Sequence, residues 1–136
     1  MEHVTYSRAN RGLPPSPLAL AERCYAAGFR ALAEGDLGAG ARLFLLLALL
    51  EPRRERSWVG LALAHERAGR TPVAATLYGI GQRLCGGGSA WLEFGRARTL
   101  RVLGRQRESE LAFEAAEVCA NGTSLARIIE EERCLP

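Results

Sequence analysis

The sequence predicts an all-α protein made of three tandem helical hairpins and a C-terminal capping helix. The stretch from Glu55 to Gly88, ERSWVGLALAHERAGRTPVAATLYGIGQRLCGGG, divides at Gly69 into two short helices. Trp58, Leu61, Ala62 and His65 stand at helical spacing in the first, and Ala74, Leu77, Tyr78 and Gly81 in the second. The same layout recurs on both sides. Gly35 and Phe44 lie 34 positions before Gly69 and Tyr78, and Gly104 and Phe113 lie 35 positions after them. The extra residue falls in the loop Gly86-Gly87-Gly88. Small residues at Ala62, Ala74 and Gly81 allow close helix approach, with Trp58 and Tyr78 filling the space between.

In chain order, residues 1–17 are polar and then Pro-rich (LPPSP), which predicts a flexible arm. Ser16-Pro17 starts a helix with proline in its first turn, running over 18–34. Gly35-Asp36 breaks it, a second helix covers 39–50, and Pro52 closes the unit. The next hairpin occupies 56–84. Ser89 is placed to cap a helix over 90–103, and its partner spans 108–120 after Gly104-Arg105. Thr123 or Ser124 is placed to cap a last helix over 125–133, whose Leu125, Ile128 and Ile129 share one side and cover the open end of the stack. The repeats therefore run over about 21–54, 55–88 and 90–122, followed by a helix at 124–133, all within one domain at 18–136.

Composition narrows the function classes. With 136 residues and 48% apolar side chains, the chain suits one domain with its own core. All 18 basic residues are arginine, as a GC-rich bacterial genome would give. A net charge of +3 is too small to argue for nucleic acid. The opening 1–11 is polar, so no signal peptide is expected, and the run Leu43 to Leu50 is too short to span a bilayer. These features predict a cytoplasmic protein without stable membrane insertion. Cys24, Cys85, Cys119 and Cys134 are far apart and form no CxxC pair, so they read as reduced thiols, with neither metal nor cofactor expected. Asn121-Gly122-Thr123 matches a glycosylation sequon but reads more simply as a turn.

Catalysis finds little support. His3 lies in the arm and His65 on a packing face; Gly86-Gly87-Gly88 lacks the lysine of a phosphate loop. Glu130, Glu131 and Glu132 are consecutive and cannot share one helical face. We therefore expect a protein that is not an enzyme. Arg96, Arg98, Arg101, Arg105 and Arg107 make the third repeat basic, which reads first as a solvated face.

Two surfaces remain. Setting aside hairpin packing, the first helix of each repeat turns inward Tyr25, Phe29 and Leu32, then Val59, Leu63 and Glu66, then Trp91, Phe94, Arg98 and Arg101. Each aromatic taken alone reads as core. The set, at matching offsets, predicts an apolar groove for an extended or helical peptide, with Arg98 and Arg101 at one end to receive an acidic flank. On the other side, hairpin packing explains Phe44, Leu47 and Ala48 but leaves Leu45, Leu46 and Leu49 pointing outward. Either the N-terminal arm or a second copy of the chain would cover them.

The 34-residue layout resembles a tetratricopeptide repeat. Within that class, WVGLALAHERAGR, the A-x-x-x-Y-G of Ala74 to Gly79, the segment WLEFGRARTLRVLGR leading to Ala112-Phe113, and the hydrophobic Leu43 to Pro52 resemble one family over residues 18–120. That family is the class II, or translocator, chaperones of bacterial type III secretion. The resemblance implies a concave groove that holds an extended segment of a pore-forming translocator and keeps it soluble before export. Carried over by position, Tyr25, Phe29, Leu63 and Phe94 are the implied contacts. The chain is short for the family, chiefly at its ends, so any N-terminal dimerisation helix is expected to be weak or replaced by the Pro-rich arm. A chaperone of needle or other exported subunits, or a generic repeat scaffold, is the alternative. The clamp by which chaperone-tail-binding repeat domains hold a terminal carboxylate uses lysine and asparagines, where this chain has Tyr25 and Phe29.

Overall fold

The structure is a computed structural model that describes residues 12–136. The part of the predicted arm at 1–11 lies outside the described residues. Among them run seven helices: α1 Pro17–Ala33, α2 Leu37–Leu50, α3 Glu55–Arg67, α4 Thr71–Leu84, α5 Ala90–Val102, α6 Gln106–Ala120 and α7 Ser124–Arg133. Consecutive helices pack as antiparallel hairpins, each hairpin stacks on the next, and α7 lies against α6. Among the first helices, α3 also touches both α1 and α5, so the three line one side of the stack.

One local device makes each hairpin. Gly35, Gly69 and Gly104 adopt φ of 81°, 81° and 77°, a left-handed conformation open to glycine at no steric expense. In each case the amide one residue further on reaches back to the helix it ends: Asp36 N–H to Ala31 O at 2.9 Å, Arg70 to His65 at 2.9 Å, Arg105 to Leu100 at 3.0 Å. These bonds satisfy carbonyls that the helix end would leave open. The 34-residue spacing is thus a repeat of turn chemistry as well as of apolar surface.

The starts of the helices follow from side chains. Ser16 Oγ accepts from Ala19 N–H at 3.2 Å, with Pro17 at the first helical position, and Ser89 Oγ accepts from Leu92 N–H at 3.1 Å. Asp36 caps α2 by accepting from Ala39 N–H, so that helix begins two residues before the predicted 39. Thr123 occupies the N-cap of α7 but does not cap it: its hydroxyl donates back to Ala120 O at 2.6 Å. Buried Gln82 orders the glycine loop, donating to Gly87 O and accepting from Ser89 N–H at 3.1 Å.

Packing depends on aromatics set against glycines. The buried Phe44 ring of α2 lies between Gly28 of α1 and Gly60 of α3, and buried Tyr78 of α4 lies on Gly95 of α5. A Cβ at Gly60 or Gly95 would overlap those rings. In the last hairpin Phe113 joins Leu125 and Ile129 of α7, which closes the end of the core. The contrast between glycines is testable. Gly60→Ala should lower stability by about 1–3 kcal/mol through overpacking. Gly79→Ala, whose nearest neighbour would be Arg96 at 3.8 Å, should raise it by about 0.5–1 kcal/mol. Chemical denaturation of both variants checks the signs, and equal effects would contradict this packing.

Candidate functional site: an apolar groove on the first helices

Helical spacing places Tyr25, Phe29, Leu32 and Ala33 on the inner face of α1, and Val59, Leu63 and Arg67 along one ridge of α3. With Trp91 from the start of α5, and with Phe44, Glu55, Arg56 and Gly60, they line an open cavity of about 390 Å³. Phe29 is 63% exposed and Trp91 47%, so two large aromatic faces have no cover among the described residues. Six of the eight residues expected to bind a peptide (Tyr25, Phe29, Leu32, Val59, Leu63 and Trp91) line this cavity.

The groove floor is held rigid. Tyr25 packs edge-on against Phe44 at 6.3 Å and beside Phe29 at 6.5 Å between ring centres. The Arg56 guanidinium lies 4.7 Å over the Tyr25 ring and donates to Glu22 at 2.6 Å and Glu51 at 2.7 Å. The hydrogen bond to Arg56 holds the Glu22 carboxyl below its usual range. This pair links residues 34 apart, so it ties two repeats together across the groove floor.

The third-repeat end differs from the sequence expectation. Phe94 is 6% exposed and belongs to the core with Phe113, at 6.4 Å between rings, while Arg98 covers it at 4.6 Å. Arg98 is committed within the chain: it donates to Glu66 at 2.9 Å, and the Tyr78 hydroxyl donates to the same carboxylate at 2.7 Å. Burial, together with the Glu66 charge, pushes the Tyr78 phenol well above its usual range, so it stays a neutral donor. Arg101 is committed too, to Glu132 of α7 through its carboxylate at 2.6 Å and its backbone carbonyl at 2.9 Å. Neither arginine is free to receive an acidic flank. Glu66 and Glu132 complete these pairs at offsets of 32 and 31 residues, a sign-matched spacing that the sequence does carry.

On the opposite side, Leu45, Leu46 and Leu49 are 51%, 39% and 73% exposed, an outward apolar stripe on α2. Cys24 is buried, Cys85 and Cys119 half-buried and Cys134 exposed, and all four are free thiols. His65 accepts from Arg70 Nε at 2.9 Å, and burial followed by that positive neighbour lowers its pKa. Among the described residues no group of three or more His, Cys, Asp or Glu side chains is placed to hold a metal ion. None of their helices is long and apolar enough to cross a membrane.

No family model and no curated protein matches the chain. Solved structures do match. SycD, the type III secretion translocator chaperone of Yersinia enterocolitica, aligns with a TM-score of 0.77 and 19% identity over 82% of this chain and 86% of its own. PcrH of Pseudomonas aeruginosa, solved in complex with the chaperone binding region of PopD, aligns with a TM-score of 0.75 and 24% identity over 90% and 89%. The chain has the tetratricopeptide-repeat fold. The TPR domain of Arabidopsis OM64 aligns equally well, with a TM-score of 0.75 at 14% identity over 86% and 96%. The shared fold therefore does not by itself separate a secretion chaperone from another repeat protein, and the groove has to decide.

Proposed function

We propose that the chain is a type III secretion chaperone that holds a hydrophobic translocator segment in the groove of α1, α3 and α5 and keeps it soluble before export. The observation that carries this reading is the open cavity with Phe29 and Trp91 uncovered on its wall. Exposed aromatics rimmed by polar residues mark a docking surface. Two of the aligned chaperone structures support the reading further, because PcrH is solved with the chaperone binding region of PopB and SycD with a peptide of the translocator YopD. The groove presents apolar contacts in place of the polar, titratable pocket that catalysis needs, which favours a binding protein over an enzyme. Site assignment follows the cavity: Tyr25, Phe29, Val59, Leu63 and Trp91 contact the client, with buried Leu32 beneath them, while Phe94 belongs to the third-repeat core and Arg98 pairs with Glu66. Co-expression with hydrophobic exported subunits encoded beside the chain tests the function. Wild type should keep one of them soluble and co-purify with it; subunits that stay insoluble with and without the chaperone would refute it.

The stripe of Leu45, Leu46 and Leu49 is the second contact surface, and a second copy of the chain covers it by matching like with like. Leu45→Glu with Leu49→Glu should move the free protein toward monomer in sedimentation. A wild-type chain that is monomeric at high concentration would leave the N-terminal arm as the cover.

A further inference from the structure

We propose that Arg67 gives the groove a charge preference, so that its occupant is an extended peptide with apolar anchors and an acidic side chain at one end. This rests on the groove reading above and names the chemistry of the client. The cavity has three charged residues on its wall, Glu55, Arg56 and Arg67. Arg56 is neutralised by Glu22 and Glu51. Glu55 accepts a hydrogen bond from the Ser89 hydroxyl at 2.6 Å. Beyond the cavity, Arg98 and Arg101 are paired with Glu66 and Glu132. Arg67 is exposed and, among the described residues, makes neither an ion pair nor a side-chain hydrogen bond.

Its place in the last turn of α3 complements the helix dipole, which accounts for an arginine at that position in the sequence. The dipole does not account for its lining an apolar cavity one turn beyond Leu63 and opposite Phe29, Leu32 and Ala33 of α1. A bound apolar segment would displace water there and strengthen any pairing that the guanidinium makes. A guanidinium matches a carboxylate in two parallel hydrogen bonds, so the preferred partner is Asp or Glu.

Position follows from the same helix. Glu55 and Arg67 stand at opposite ends of α3, about 18 Å apart at the helical rise per residue. An extended chain covers that span in about five or six residues. The groove is thus polarised, negative at the Trp91 end and positive at the Arg67 end, and the client acid belongs at the latter. Arg30, on the adjoining depression formed by Tyr25, Ala26, Phe29 and Ala33, adds to the positive side.

The test is selection of a random dodecapeptide display library on the folded chain, followed by synthesis of the enriched peptides. Wild type should enrich apolar anchors flanked by Asp or Glu. Changing that acid to its amide should weaken binding about fivefold in low salt and less in high salt. Arg67→Lys should keep the preference, and Arg67→Glu should turn it toward Lys and Arg. An acid preference that survives Arg67→Glu would reduce Arg67 to a helix-end residue and overturn the proposal. So would an effect that follows a free peptide C-terminus and disappears on amidation, because the source would then be the chain end. A wild-type chain that enriches no peptide, or one whose selection survives Phe29→Ala with Leu63→Ala, would refute the groove reading itself.

Discussion

Phe29→Ala combined with Leu63→Ala should weaken client binding about 100-fold while leaving the helices intact. Each side chain buries its apolar surface against the segment, and full burial contributes about 1.5–3 kcal/mol. Two anchors at the lower figure give about 3 kcal/mol, roughly two decades in Kd. The folding effect is smaller because Phe29 is already largely exposed in the free protein; Leu63, which packs beside the core of Phe44, Leu47 and Leu61, carries most of it. Calorimetry with a client segment, alongside circular dichroism, separates the two. Binding within a factor of three of wild type would show that these side chains are not anchors.

The largest expected stability effect lies beneath the groove. Phe44→Ala should destabilise the protein by about 3–5 kcal/mol, the range for deleting a buried phenylalanine. The ring is 2% exposed, fills the space between Gly28 and Gly60, and supports Tyr25 edge-on. Its removal opens a void between two repeats that glycine backbones cannot close. A loss below 1 kcal/mol in denaturant unfolding would mean that the two repeats collapse onto one another, so that the glycine-aromatic pairing does not set their spacing.

What was legible in the sequence was local or periodic. Gly35, Gly69 and Gly104 end helices through their own backbone freedom, and Ser16 and Ser89 cap through their own hydroxyls, so no distant residue has to be known. Asp36 was visible as a breaker, yet its carboxylate works as a cap. The outward direction of Leu45, Leu46 and Leu49 followed from helical phase alone. Phase failed at the third repeat because Phe94 and Arg98 share the inward phase of Tyr25 and Phe29 but meet different neighbours. Phe113 and α7 close the core there, and Glu66 from the preceding repeat captures Arg98. Arg67 has an ordinary explanation in the sequence as an arginine near a helix end; the pairing of Arg56, Arg98 and Arg101 is what singles it out. The role of Gln82 is not legible in the sequence, because its partners are backbone groups of a glycine loop and leave no trace in side-chain pattern.

A client held by this chain lies in the concave groove of the first helices. Photocrosslinking tests it most directly, with a photoreactive phenylalanine analogue placed at position 29 in the groove or at position 49 on the outward stripe. Both positions are exposed in the free chain, so reactivity alone does not favour either. A chaperone–client adduct is expected from position 29 and none from position 49. An adduct from position 49 with none from position 29 would contradict it and place recognition on the convex face of α2.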